Sequence, residues 1–258
     1  MKLIYKNYEE PTIFLNENGY LTQFQTFIPE NSWGEVSNYD NIKYVKTEHN
    51  TAYFSEAEAL TKINNNTENY FDFNKAIIDI GANVGVYSIR SLFKNVYAFE
   101  PNKVIYSLLN VNLLIHDVNR FLRSKTYNVC LSDKHEIIEY DGSRVKQEDD
   151  VLYNDISYEH DNTRYIDNME THTLDEYNCE NVGFIKIDVE GYEEKILRGG
   201  IGTIIRNNYP PILFELWDVG RLGMTQERHD SLEKFLTDLG YNILWYWGDF
   251  ETHLAIHP

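Results

Sequence analysis

Short apolar runs closed by a glycine or an acid recur through the chain from residue 76 onward, and stretches of helical spacing separate them. Ala76, Ile77, Ile78, Asp79 and Ile80 form a mostly apolar run closed by Gly81, which predicts a parallel strand covered on both faces. Val84, Tyr87, Ile89 and Leu92 then fit a short helix, and Val96–Phe99 a second strand ended by Glu100. Pro101 opens a helix whose apolar positions run from Val104 and Ile105 through Leu108, Leu109 and Val111 to Leu114 and Ile115, a broad amphipathic face. Further strands are predicted near Thr126–Leu131, over Phe184–Val189 and at Pro210–Glu215. The helix Tyr192–Leu197 follows the second of these, and a covering helix Thr225–Leu239, ended by Gly240, follows the third. Ile243–Trp247 and His253–Ile256 read as a closing hairpin.

Residues 1–70 lack this rhythm and read as an N-terminal cap: short strands at Thr12–Leu15, Tyr20–Ile28 and Ile42–Val45, then a helix from Glu56 to Ile63 with Ser55 as N-cap. The catalytic unit is expected over 71–258, since 258 residues with 42% hydrophobic content support one sizeable core with an extension. Asp141–Asn168 is polar and acidic with few aliphatic residues, which suits a lid or a merely decorative loop. A formal net charge of −18 argues against a nucleic-acid substrate, because binding one depends on Lys and Arg neutralising phosphates. No apolar run reaches membrane-span length, and MKLIYKNYEE meets charge too early for a signal peptide. Cys130 and Cys179, without metal-type spacing, fit a reducing cytoplasmic setting. Oligomeric state is not legible.

The turn Gly81-Ala-Asn-Val-Gly85 between the first strand and its helix is the first candidate for chemistry. Gly81 and Gly85 permit positive φ and close approach of a ligand, and Asn83 is among the few other residues that tolerate such geometry. Glu100, about 20 residues beyond the first strand, stands where an acid commonly takes the ribose hydroxyls of a nucleotide cofactor. A dinucleotide site asks for G-x-G-x-x-G, whereas this chain has D-x-G-x-N-x-G. Asp79 would repel a pyrophosphate but suits the cationic methionine end of S-adenosylmethionine. Asp133, after Ser132 at the end of the strand near Leu131, is either an acceptor for an adenine amino group or a turn residue.

Gly183-Phe-Ile-Lys-Ile-Asp-Val-Glu-Gly191 is the second. Lys186, Asp188 and Glu190 interrupt an apolar strand on one face at period two, and ionisable groups there are costly unless paired or working. Open α/β sheets bind ligands at the carboxyl ends of their strands, so Asp188 and Glu190 are expected in the same crevice as Gly81 and Glu100.

Together IDIGANVGVYS, YAFEPN, LSD, HTLDEY, FIKIDVEGYEEKILRGG and PPILFEL resemble the FkbM-type family of S-adenosylmethionine-dependent O-methyltransferases, over about residues 50–250. The resemblance implies an α/β, Rossmann-like class I methyltransferase fold: a seven-stranded, mostly parallel sheet with an antiparallel last strand, helices on both faces, here behind a β-rich N-terminal cap. It implies methylation of a hydroxyl, often on a sugar or a polyketide-like natural product. By the same resemblance Asp79, Gly81, Asn83 and Gly85 form the cofactor loop, Glu100 holds the ribose, and Ser132 and Asp133 lie on the adenine side. Asp188, Glu190 and Gly191 form the signature strand end, and Glu56 matches an acid before the cofactor strand. The first 50 residues have no clear counterpart in the family.

The expected function is therefore methyl transfer from S-adenosylmethionine to a sugar or glycan hydroxyl; a natural-product or nucleic-acid acceptor, or an NAD-binding oxidoreductase, are the alternatives. Asp188 or Glu190 would act as general base or orient the acceptor, with Lys186 holding the carboxylates or stabilising an alkoxide. His172 and His49 are rival bases. Glu215, ending its strand, would contact the acceptor, form a structural ion pair, or join Asp188, Glu190 and Asp218 around a divalent metal such as Mg²⁺, which nothing in the spacing demands. Trp217, Trp245 and Trp247 lie near the ends of the last strands, where a ring can stack on a sugar or fill the core.

Overall fold

The computed structural model describes residues 4–5, 11–12, 33–39, 42–47, 53–66, 69–142, 144–146, 167–220, 224–245 and 252–258. Two antiparallel pairs open the chain: β1 (Ile4–Tyr5) with β2 (Pro11–Thr12), and β3 (Trp33–Tyr39) with β4 (Ile42–Thr47). The expected strand Tyr20–Ile28 lies outside the described residues. Helix α1 (Tyr53–Asn65) follows and already contains Ser55, so that residue is not the cap that precedes the helix.

The chain then runs β5 (Ala76–Ile80), α2 (Val86–Arg90), β6 (Asn95–Phe99), α3 (Lys103–His116), α4 (Val118–Arg123), β7 (Ser124–Tyr127), β8 (Cys130–Leu131), β9 (Ile137–Tyr140), β10 (Asp167–His172), a 3₁₀ turn at Leu174–Tyr177, β11 (Val182–Ile187), α5 (Glu193–Arg198), α6 (Ile201–Arg206), β12 (Ile212–Glu215), α7 (Gln226–Asp238), β13 (Asn242–Trp245) and β14 (Thr252–Ile256). Seven strands form one sheet in the order β13-β14-β12-β11-β5-β6-β7, and β14 alone runs against the others. This is the Rossmann-like class I methyltransferase architecture. The predicted strand Thr126–Leu131 is two strands: β7 closes the main sheet, while β8 pairs with β10 in a separate three-stranded sheet, β8-β10-β9. No helix among the described residues is long and apolar enough to cross a membrane.

All residues of β5 and β11 are buried, as their apolar runs require of central strands. Alternation divides them between two cores. Ile78, Ile80, Ile185 and Ile187 join α5 and α7 through Ile196, Leu232 and Leu236. Ile77 and Phe184 face α1, α2 and α3 through Ile63, Ile89 and Leu109, and Phe184 stacks on Phe93 with ring centroids 5.3 Å apart. Asp79 and Lys186 share this second face by the same period-two rule and sit directly opposite each other in the β5–β11 register. Strand order reverses between β5 and β11, so the loops after β5, β6 and β11 open onto one crevice at the carboxyl edge.

Candidate active site

The loop after β5 is held by its own glycines and by α3. Gly81 has φ +66°, and a Cβ there would stand 1.8 Å from the Asp188 carbonyl oxygen. The position therefore demands glycine both for its left-handed backbone and because the β11 turn packs on it. Asn83 is also left-handed, at φ 51°. Its side chain accepts from the Val84 amide at 2.8 Å, which satisfies the turn locally. Gly85, at φ +93°, precedes α2, and a Cβ there would meet Leu109 of α3 at 2.6 Å. From α3 the Asn112 side-chain amide donates to the Val84 carbonyl at 2.8 Å.

Glu100, at the end of β6, is 6% exposed and closes this loop. One carboxylate oxygen accepts from the Asn83 amide at 2.9 Å and the other from the Asn102 amide at 2.8 Å. Burial pushes its carboxyl up to about 7 from an ordinary 4.5, against the pull of those two amides and of the Lys186 charge. Asn102 caps α3, accepting from the amides of Val104 and Ile105 at 3.0 and 3.2 Å. Glu100 lines a cleft of about 210 Å³. The cleft lining combines apolar side chains, among them Ile105, Val129, Leu131, Tyr140 and Val145, with Gly81 and Asn83 of the loop and the acids Asp188 and Glu190.

The FkbM methyltransferase domain matches residues 79–243, more than half of the chain. The chain belongs to the FkbM methyltransferase family. Among solved structures, it is similar to the methyltransferase FkbM from Methylobacillus flagellatus KT, at 17% identity and TM-score 0.47, over 72% of this chain and 44% of that one. This chain thus spans less than half of that relative. Precorrin-6y C5,15-methyltransferase from Geobacter metallireducens GS-15 is 13% identical with TM-score 0.44, over 86% of this chain and 97% of its own. Magnesium protoporphyrin IX methyltransferase from Synechocystis PCC 6803 with bound SAM is 8% identical with TM-score 0.42, over 80% and 79%. Comparison with curated proteins found no match.

In this FkbM methyltransferase domain, Asp79 does not face the cleft. It is fully buried, takes the Ser88 hydroxyl at 2.6 Å on one oxygen, and has Lys186 Nζ 3.5 Å from the other. That second oxygen is buried with no hydrogen-bond partner among the described residues. Lys186 Nζ also lies 3.6 Å from Asp188 and donates to the Gly81 carbonyl at 2.8 Å. One buried ammonium thus ties β5, the glycine loop and the acidic turn together, and the negative end of the FkbM cleft rests on Asp188 and Glu190 rather than on Asp79.

β11 ends at Ile187, so Asp188 and Glu190 belong to a turn and not to the period-two face of the strand. Glu190 is left-handed at φ 59°. The turn is closed by Glu193, which sequence reasoning missed: it is 2% exposed, and its Oε1 accepts from the amides of Val189 and Gly191, both at 3.2 Å. Its only sequence signal is a carboxylate a few residues after a strand end and entering a helix, the pattern of an N-terminal cap. Arg228 of α7 donates to the Gly191 carbonyl at 2.9 Å. Burial raises the Glu193 carboxyl to about 7. Burial, then the charges of Asp188, Glu190 and Glu193, raise Glu215 at the end of β12 strongly, with the Trp217 indole opposing. The FkbM domain therefore gathers carboxyls closely enough that the acids of the β11 turn add to burial in raising Glu215.

The remaining predicted residues scatter. Ser132 is buried, donating to Asp133 at 3.1 Å, with the Tyr192 hydroxyl 3.4 Å away. Asp133 is exposed and lines a neighbouring open groove of about 790 Å³ with Glu136, Lys195 and Arg228. Glu56 falls on α1, but its side chain lies outside the described residues, as do His49, Trp247 and the Trp245 side chain. Trp217 is 2% exposed and belongs to the core. Among the described residues Asp188, Glu190, Glu215 and Asp218 do not draw three ligand atoms together. His172 stands with His135 and Glu176, away from the cleft lining.

Proposed function

We propose that this chain transfers the methyl group of S-adenosylmethionine to a hydroxyl of a sugar or glycan, with residues 71–258 as the catalytic unit and 1–70 as a cap. The observation that carries the reading is that one cleft is lined by apolar side chains, by Glu100 and by the acids Asp188 and Glu190 together. Those walls match the cofactor: an apolar slot for adenine, a carboxylate for two ribose hydroxyls, and negative charge for a cationic end. Each Glu100 oxygen is committed to one amide and keeps a lone pair for a hydroxyl.

When bound, S-adenosylmethionine supplies an activated methyl on a sulfonium. The protein's part is alignment and removal of the acceptor proton. With Glu100 assigned to the ribose, Asp188 and Glu190 are the remaining carboxylates of the cleft lining and so the ones placed to accept that proton or orient the hydroxyl. Lys186, 4% exposed, acts from beneath by holding Asp188, and Glu193 holds the turn that presents both acids. Glu215, at the end of β12, has its carboxyl raised first by burial and then by the charges of these same acids.

A calorimetric titration with S-adenosylhomocysteine, run beside NAD and repeated on Glu100→Ala, tests the cofactor. Binding of S-adenosylhomocysteine alone, lost in the variant, is the expected result, and NAD binding would overturn the reading. Methyl transfer to a panel of free sugars, nucleotide sugars and glycans then tests the acceptor, with Asp188→Asn and Glu190→Gln expected to lose turnover. Transfer only to non-sugar hydroxyls would overturn the sugar assignment while leaving the cofactor assignment intact.

A further inference from the structure

On the far side of the wall formed by β8, three elements bring imidazoles and carboxylates together. His135 comes from the turn after β8, His172 from the end of β10, and Glu176 from the 3₁₀ turn that follows. His135 Nε2 lies 2.6 Å from Glu176 Oε1, and His172 Nδ1 lies 3.2 Å from Glu176 Oε2. One ligand atom from each of the three lies within 4.8 Å of the others. The two rings meet edge to face with centroids 5.2 Å apart. Glu176 is itself fixed, its Oε1 accepting from the Thr173 amide at 3.3 Å and the Thr173 hydroxyl at 3.0 Å. Behind His135, Glu170 places a carboxylate oxygen 3.6 Å from the other ring nitrogen.

We propose that His135, His172 and Glu176 bind a divalent transition-metal ion of the zinc type, independently of the methyl-transfer cleft. Two imidazoles and one carboxylate are a borderline donor set that favours Zn²⁺, Co²⁺ or Ni²⁺ and discriminates against Mg²⁺ and Ca²⁺, which want oxygen only. In a tetrahedral site with bonds near 2.0 Å, ligand atoms stand about 3.3 Å apart. The two spacings reach different oxygens of Glu176, 3.2 Å from His172 Nδ1 to Oε2 and 2.6 Å from His135 Nε2 to Oε1, so the carboxylate straddles the ion and the half-exposed His135 ring shifts outward by under about 1 Å to admit it. The hydrogen now lying between His135 Nε2 and Glu176 gives way to the metal, and the ring proton resides on Nδ1 facing Glu170, the carboxylate–histidine–metal relay that orients such ligands. Water completes the coordination, since all three side chains are solvent-accessible.

The backbone here is well anchored. Thr171 and His172 pair with Cys130 and Leu131 of β8, the Ser132 amide donates to the His172 carbonyl at 2.8 Å, and the Glu136 amide donates to the Thr171 hydroxyl at 3.0 Å. A metal at this point staples the turn after β8 to β10 and to the 3₁₀ turn. Cys130 and Leu131 are walls of the cleft, so the staple stiffens that wall from behind. A second His-acid group, His229, Asp230 and Glu233, lies on α7, but its side chains come from a single helix and join no separate elements.

The test is a titration of the full-length, tag-free protein with Co²⁺, followed by visible absorption, then by Zn²⁺ displacement and thermal melting. We expect one Co²⁺ per chain with ligand-field bands that Zn²⁺ abolishes, and a melting temperature raised by Zn²⁺ but not by Mg²⁺. His135→Gln and His172→Gln should each weaken binding by at least about tenfold, whereas His229→Gln should not. Absence of Co²⁺ bands in the wild type would overturn the proposal without reference to any variant. Bands that persist in both His135→Gln and His172→Gln, or that vanish in His229→Gln, would overturn it as well.

Discussion

Glu100→Gln separates the cost of a buried charge from its use. The wild-type carboxyl is raised from 4.5 to about 7, chiefly by burial, so the folded protein binds that proton more tightly than the unfolded chain. The stability this contributes is present below about pH 4.5 and is lost as pH rises through about 7, a change of about 3 kcal/mol. Gln carries no charge and escapes that loss. Its amide, however, turns a donor toward one of the two backbone N–H groups that Glu100 now satisfies, at a cost of about 1–3 kcal/mol. The two effects nearly cancel at pH 8, so urea unfolding should place the variant within about 2 kcal/mol of wild type there. Affinity should not cancel. Losing one charge-assisted bond to a ribose hydroxyl, worth about 2 kcal/mol, weakens S-adenosylhomocysteine binding by at least about thirtyfold at pH 8. In the wild type, taking the pH from 8 to 6 protonates Glu100 and should weaken binding by about tenfold, and the variant should lack most of that slope. Glu193, also raised to about 7, remains in the variant and accounts for any residual slope. Calorimetry at both pH values is the assay. Glu100→Gln binding within threefold of wild type at pH 8 would refute the ribose assignment, as would a wild-type affinity that is the same at pH 6 and pH 8.

Three further substitutions probe the scaffold. Gly81→Ala brings a Cβ to within 1.8 Å of the Asp188 carbonyl at positive φ, and should destabilise by more than about 2 kcal/mol in urea and abolish S-adenosylhomocysteine binding. Lys186→Met strands the fully buried Asp79 and should cost about 3–5 kcal/mol, with the double variant Lys186→Met/Asp79→Asn recovering most of it in the same denaturation assay. Glu193→Ala removes the acceptor shared by the Val189 and Gly191 amides and should lower turnover and the urea midpoint; Glu193→Gln keeps that Oε1 acceptor and should restore both while removing one titration near pH 7.

The strand, glycine turn, helix, strand and acid of residues 76–100 could be read directly because each is encoded locally. A strand buried on both faces needs an unbroken apolar run, as in Ala76–Ile80, and left-handed turn positions accept little but Gly and Asn, as at Gly81, Asn83 and Gly85. Helices α3 and α7 likewise announced themselves by the spacing of their apolar faces, and Glu100 by its distance from the first strand. The division of Thr126–Leu131 between two sheets was not legible, because both pieces look like strand and only their partners differ. The pairing of Asp79 with Lys186 was hidden for a related reason. Alternation says which face a side chain takes, but the β5–β11 register decides which distant residue stands opposite, and that register is set by how whole elements pack. The same holds for Glu193 folding back on its turn, for Ser132 lying beneath the wall while Asp133 opens into the next groove, and for His135 meeting His172 and Glu176. Local pattern determined most of the strands, helices and glycine turns of this protein, though not where β11 stops or where α1 begins. Tertiary structure alone decided which charges neutralise one another, and hence which acids are left facing the cleft.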